Sequence, residues 1–135
     1  MTLPAVLAPL AEIVPPEAAM RDLVLPMEVT AASHAAVDAL PSPAMRALAW
    51  LYLDDLHRAH EICQSMDDPL GAHLHAIVHR REGDFGNALY WYRRAGVPDG
   101  EGARLVRDVA AGDRSPEAAE RQRAEWSALA ERVTA

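Results

Sequence analysis

His75 and His79 sit one helical turn apart in the stretch HAIVHRREGDFGNALYWYRR, residues 75–94. The same stretch holds Arg80, Arg81, Arg93 and Arg94, the carboxylates Glu82 and Asp84, and the aromatics Tyr90, Trp91 and Tyr92. Imidazoles at i and i+4 share one face of a helix. With a carboxylate one turn on, they give the donor pattern of metal sites inside helical bundles. Five of the six histidines lie between residues 57 and 79. Reflecting the helices that flank SMDDPLG about residue 68 sets Asp54 level with Glu82, His57 with His79, and Glu61 with His75. The candidate metal ligands are therefore His75, His79 and Glu82, completed by His60 or His57. Such a set would suit zinc, iron or manganese.

The apolar periodicity supports a plainer reading. At about 100° per residue, Leu56, Ala59, Cys63 and Met66 define the buried face of the first helix. His57, Glu61 and Gln64 point well away from that face and read as solvated, whereas His60 lies near its edge. His75, His79 and Glu82 flank the stripe of Leu74 and Val78, a boundary position where a histidine can simply hydrogen-bond to a carboxylate.

The arginines carry a second chemistry. Arg80, Arg81, Arg93 and Arg94 form a basic island in an acidic chain, and planar guanidinium groups recognise carboxylates and phosphates. Trp91, with Tyr90 and Tyr92, would wall a groove beside them. Against this stands internal pairing with Glu82, Asp84 and Asp55, with Trp91 and Tyr92 in the core on the face of Ala88 and Ala95. Asp84 and Asn87 read as cap and turn residues. Cys63 sits on an apolar stripe and reads as a buried thiol. No serine stands in a strand-to-helix elbow. GVPDGEG lacks the lysine and Ser/Thr of a phosphate loop. His34 is isolated.

The elements that must position these groups read as helices. No segment alternates with period two. Ser42 followed by Pro43 starts a nearly all-apolar helix, AMRALAWLYL, expected to be central and to be buried together with Trp91. Asp54 and Asp55 stop it. SMDDPLG is a turn. Gly83 ends the next helix and Asp84 caps the one after. GVPDGEG is a loop, and Ser115 with Pro116 opens a C-terminal helix. Upstream, LAPLAEIV reads as a short helix or an extended arm, Pro16 as the first turn of a helix over PPEAAMRDLVL, and MEVTAASHAAVDAL as a helix capped by Thr30 or Ser33.

The expectation is an all-α, single domain over residues 1–135 with about six to seven helices. It divides into a proline-punctuated arm (1–42), central hairpins (43–96) and C-terminal helices (97–135). LAWLYLDDLHRAHEI and HAIVHRREGDFGNALYWY share a grammar of apolar helix, tight acidic turn and alanine three residues on, with Ala59 and Ala88 being 29 residues apart. That grammar resembles stacked antiparallel tetratricopeptide-like hairpins, with a spacing shorter than the usual period of about 34. The chain also resembles a family of small uncharacterised bacterial and fungal proteins that carry H-x-I-x-H-R-R-E-x-D-x-x-N-x-x-Y-W-x-R-R-x-G. Here that pattern falls on His75, His79, Arg80, Arg81, Glu82, Asp84, Asn87, Tyr90, Trp91, Arg93, Arg94 and Gly96. LDDLHRAHEICQSMDDPLG and RQRAEWSAL are similar to that family's other helices. The resemblance covers residues 44–135 and implies no activity.

Composition narrows the classes. The chain has 135 residues, a formal charge of −7 and one cysteine. An acidic chain without a basic face argues against nucleic acid. A single cysteine excludes an intrachain disulfide and a thiolate zinc cluster. The N-terminal stretch has no basic region and is broken by prolines, unlike a signal peptide. No apolar run reaches the roughly 18 residues a spanning helix needs. A cytoplasmic protein without a membrane partner is expected. Two functions remain open. One is a binding or scaffold protein, needing no cofactor, that takes a small anion or an acidic protein segment at the arginine-rich hairpin. The other is a metal-binding protein or metal-dependent enzyme centred on His75, His79 and Glu82.

Overall fold

Ser42 accepts the N–H of Met45 on its hydroxyl at 3.2 Å, and Pro43 follows as the first helical residue. This start satisfies an orphan donor and wastes none. The same logic recurs along the chain in the computed structural model, which describes residues 1–32 and 35–135. Asp55, Asp68, Asp84 and Ser115 each cap a helix through the N–H three residues on. Eight α-helices are present among the described residues. They are α1 (Leu10–Ile13), α2 (Ala35–Asp38), α3 (Pro43–Tyr52), α4 (Leu56–Cys63), α5 (Pro69–Arg81), α6 (Phe85–Arg94), α7 (Glu101–Ala110) and α8 (Pro116–Thr134). There is no strand among the described residues.

From α3 to α8 each helix packs on the next. The series is not an open stack, because α8 returns to lie against α3. In a solenoid each unit meets only its neighbours. The all-α architecture of packed helices is therefore as expected, while the packing alone does not impose a repeat geometry. The sharp turn between α3 and α4 is made at Asp54, whose φ of 63° lies in the left-handed region. Gly83, at φ +88°, ends α5 in the same way.

The largest apolar cluster joins α3, α4, α5 and α8 with residues of the arm. Seven of the ten residues of α3 are buried, so it is central as expected. The tryptophan buried with it is Trp126, not Trp91. Trp126 is 1% exposed, its indole N–H donates to the carbonyl of Leu48 at 2.8 Å, and its ring lies 5.3 Å from that of Tyr52. Trp91 is half-buried and belongs to a separate cluster with Ala76, Ala88, Tyr92, Ala103 and Val106. A residue on the right face of α6 meets α5 and α7, the helices α6 packs on.

The arm differs most from the sequence expectation. Pro16 does not open a long helix. The carbonyl of Pro15 receives the N–H groups of Ala18 and Ala19, and Met20 then turns to φ 53°. Tertiary donors hold this segment open. Gln122 donates to the carbonyls of Met20 and Asp22, and Arg123 to that of Ala19. The helix expected over MEVTAASHAAVDAL is reduced to α2. The N–H of Ala31 goes to Asp55 at 3.0 Å, while the N–H of residue 33 that a Thr30 cap would take, the expected Ser33 cap and His34 lie outside the described residues. The two four-residue helices α1 and α2 account for the count of eight rather than six or seven. No helix of the described residues is long and apolar enough to cross a membrane.

Trp126→Ala is expected to cost about 3–5 kcal/mol, since it empties a buried aromatic site and removes the indole hydrogen bond to the Leu48 carbonyl. Trp91→Ala should cost clearly less. Urea midpoints of the two variants compared with the parent check the order.

Candidate functional site

Helix α5 carries the chemistry on two sides. One side offers His75 and His79, each 7% exposed. Asp68 and Pro69 set its start, so the two histidines fall where α4 passes and His60 of α4 meets them. The His60 ring centre lies 4.8 Å from that of His75 and 5.5 Å from that of His79, edge-on to both. His75 and His79 are 4.8 Å apart and nearly parallel. A ring nitrogen from each of the three falls within 4.8 Å of the others. On its other face His75 stacks on the Trp91 indole at 4.0 Å.

Electrostatics favours the neutral form of His75 and His60. Burial, reinforced by His79 and His60, pushes the pKa of His75 down to about 4. Burial also lowers that of His60, with His79 adding to it and Glu82 opposing. Neutral imidazoles present lone pairs without first losing a proton. Among the described residues neither His60 nor His75 has a hydrogen-bond partner for its ring. His79 does: its Nδ1 lies 2.5 Å from Glu82 and 4.0 Å from Asp84, and its Nε2 lies 3.4 Å from the Asn87 side-chain amide. Glu82 thus fixes the ring of His79 from behind. His79, Glu82 and Asp84 themselves form a second group of donor atoms within 4.8 Å of one another.

The opposite side of α5 is a buried ion-pair system. Arg80 and Arg81 are both 0% exposed. Arg80 donates to Glu125 at 2.7 Å, to the Tyr92 hydroxyl at 2.8 Å and to Gln122 at 3.2 Å. Glu125 also receives the Tyr92 hydroxyl at 2.5 Å and meets His73 Nε2 at 3.0 Å. Arg81 donates to Asp54 at 2.6 Å and to the carbonyls of Leu51 and Asp22. Burial opposes both guanidinium charges. At Arg80 the surrounding Tyr92 and Glu125 outweigh it and the pKa rises, whereas at Arg81 burial prevails over Asp54 and the pKa falls. Each arginine keeps one unpartnered Nε. Burial would raise the pKa of Glu125, but Arg80, with His73 and Tyr92, brings it down to about 2.

The sequence candidates therefore separate. His60, His75 and His79 come together, with Glu82 behind them. His57 does not join: it is exposed and pairs with Glu61 at 2.6 Å. Arg80 and Arg81 face inward, away from any ligand in solvent, and their partners are Glu125 and Asp54 rather than Glu82, Asp84 or Asp55. Asp55 is occupied with Arg58 and the N–H of Ala31. Arg93 is exposed. Arg94 is held over the rings of Trp91 and Tyr90 and donates to the Tyr90 hydroxyl at 3.1 Å. His75, Trp91 and Arg94 line one groove of about 280 Å³ with Gln64, Asp67 and Asp68. Sequence reasoning missed His73, Gln122 and Glu125. Their signal lay in RQRAEWSAL, which carries the Gln122, Glu125 and Trp126 that reach α5 and α3.

No protein-family model, no curated protein and no solved structure matches the chain.

Two outcomes follow from these environments. Arg80→Ala strands Glu125 in the interior and is expected to cost about 3–5 kcal/mol in chemical unfolding. Acid should also act in two stages. Unfolded, His75 takes a proton near 6.5 that the folded chain refuses until about 4, so stability is intact above that window and falls across it, by up to about 3 kcal/mol. Glu125 then loses its share between 4.5 and about 2. Stability measured against pH should show the upper stage reduced in His75→Gln, with the remainder due to His60, and the lower one reduced in Glu125→Gln.

Proposed function

We propose that the protein binds a transition metal, zinc in the first instance, through His60, His75 and His79. The observation that carries this reading is the pair His60 and His75. Both are neutral, they converge with His79, and neither has a hydrogen-bond partner among the described residues. A histidine placed at a core boundary for structure alone finds a carboxylate or carbonyl, as His79 and His73 do. Three imidazoles without a thiolate suit zinc, with iron or manganese favoured only if a carboxylate joins.

The geometry has to contract on loading. Zinc bonds of about 2.0–2.1 Å to each nitrogen put tetrahedral ligand atoms about 3.3 Å apart. The present limit of 4.8 Å must close by rotation of side chains, and the half-buried His60 is the one with room to turn. Glu82 acts through His79: by taking Nδ1–H it leaves Nε2 as the donor atom and fixes the ring plane. A water or small anion from solvent would take the fourth position. The groove of Trp91 and Arg94 lies on the other face of His75 and carries Asp67 and Asp68, so it supplies no ligand to this centre.

Chelator-treated protein titrated with zinc is expected to take up one equivalent and to gain thermal stability, because ligand bound only to the folded state stabilises it. His60→Ala and His75→Ala should weaken binding by far more than tenfold, and Glu82→Gln by about 10–100-fold. Nickel or cobalt should quench Trp91 selectively, so that the quench disappears in Trp91→Phe. A parent protein that takes up no zinc and shows no thermal shift would overturn the reading.

A further inference from the structure

On the far side of α5 from the three histidines, α7 and α8 meet over the buried ion-pair system and leave a half-open cavity of about 330 Å³. Its walls are mostly apolar, with Val97, Ala124, Ala128 and Leu129 among them. Its floor is formed by His73, Tyr92 and Glu125. That floor is closed to new partners. Both carboxylate oxygens of Glu125 are taken, by Arg80 on one side and by His73 and Tyr92 on the other. The charges of Arg80 and Glu125 cancel. α7 comes this close because residue 102 is glycine, since a Cβ there would overlap Glu125 and the Tyr92 ring.

The rim is different. Glu101 is paired with Arg104 at 2.7 Å and Arg121 with Asp108 at 2.8 Å. Arg132 also lines the cavity, is exposed, and has no ion-pair partner among the described residues. Val97 beside it is one of the few large apolar side chains left exposed. A site with an apolar interior, a floor whose hydrogen bonds are complete and one unneutralised cation at the mouth selects an apolar body carrying a single negative head.

We propose that this cavity binds a free amphipathic monocarboxylate, with its hydrocarbon between α7 and α8 and its carboxylate on Arg132. Size supports the choice: an apolar cavity of about 150 Å³ holds a benzene ring, so this one holds a body of roughly twice that, and not the two chains of a membrane lipid. Charge supports it too. A cationic head would face Arg132, and a dianion would crowd Glu101. The site is independent of the histidine cluster.

Octanoate, octan-1-ol and octylamine titrated calorimetrically into the protein separate body from head. Octanoate should bind at least about tenfold more tightly than octanol, the scale of one charge-assisted hydrogen-bonded pair, and octylamine more weakly than either. R132Q, a change at an exposed residue, should bring octanoate to the level of octanol. A128F, which fills the cavity from an exposed position, should abolish all binding while leaving the helical circular dichroism of the parent. The inference is overturned if octanoate binds no better than octanol, if R132Q binds like the parent, or if none of the three binds. It is equally overturned if A128F leaves octanoate binding intact, or if His60→Ala with His75→Ala removes it, since the ligand then sits at the imidazoles.

Discussion

A guanidinium inside a protein must be matched, because removing one partner of a buried pair strands the other. Arg80 meets that demand with a residue 45 positions away, Glu125, and with Tyr92 from the neighbouring helix. The requirement draws α8 back across the hairpin and fixes α6 and α7 between them. Arg81 does the same on the opposite side, tying α5 to the α3–α4 turn and to the arm. All 13 basic residues other than histidine are arginines. The planar fork of arginine can serve several acceptors at once, which a lysine in these two positions could not do. The dense stretch of the sequence is dense because α5 is fully surrounded and must satisfy neighbours on every side.

That arrangement explains the division of labour along one helix. Successive residues of α5 point about 100° apart, so Arg80 and Arg81 address α8 and α3 while His75 and His79 face α4 and α6. The rigid salt-bridged side holds the axis of the helix in place. The imidazole side is left with two rings unbonded among the described residues, which is the condition for a ligand to be gained rather than displaced. Glu82 stands at the junction, just past the last helical turn, and serves the imidazoles.

The helices from Ser42 onward were legible because their boundaries are local chemistry: a cap oxygen, a proline in the first turn, a glycine or aspartate at positive φ. The identity of the inward histidine on α4 was legible too, since angular position alone favours His60 over His57. The partners of Arg80 were not. A contact spanning 45 residues leaves no periodic trace, and the nearby Glu82 and Asp84 were closer in sequence. Trp91 was misplaced for a related reason. Its face was right, but which helix that face meets depends on the order of packing. The arm failed because side chains of α5 and α8 claim its carbonyls, which overrides the helical preference of an alanine-rich segment.

Those claimed carbonyls give the arm an unusual relation to its own sequence. Between Ala19 and Leu25 the chain is gripped by its peptide groups as well as by buried side chains: the carbonyls of Ala19, Met20 and Asp22 receive Arg123, Gln122 and Arg81, and the N–H of Leu25 reaches the carbonyl of Arg81. Every residue type carries the same carbonyl. Exposed positions such as Arg21 and Asp22 are therefore free to drift, whereas the lengths of chain between the gripped peptides are not. In this segment an inserted or deleted residue is a severe lesion at any point, whereas a substitution is mild at the exposed positions and costly only at the buried Ala19, Met20, Leu23 and Leu25.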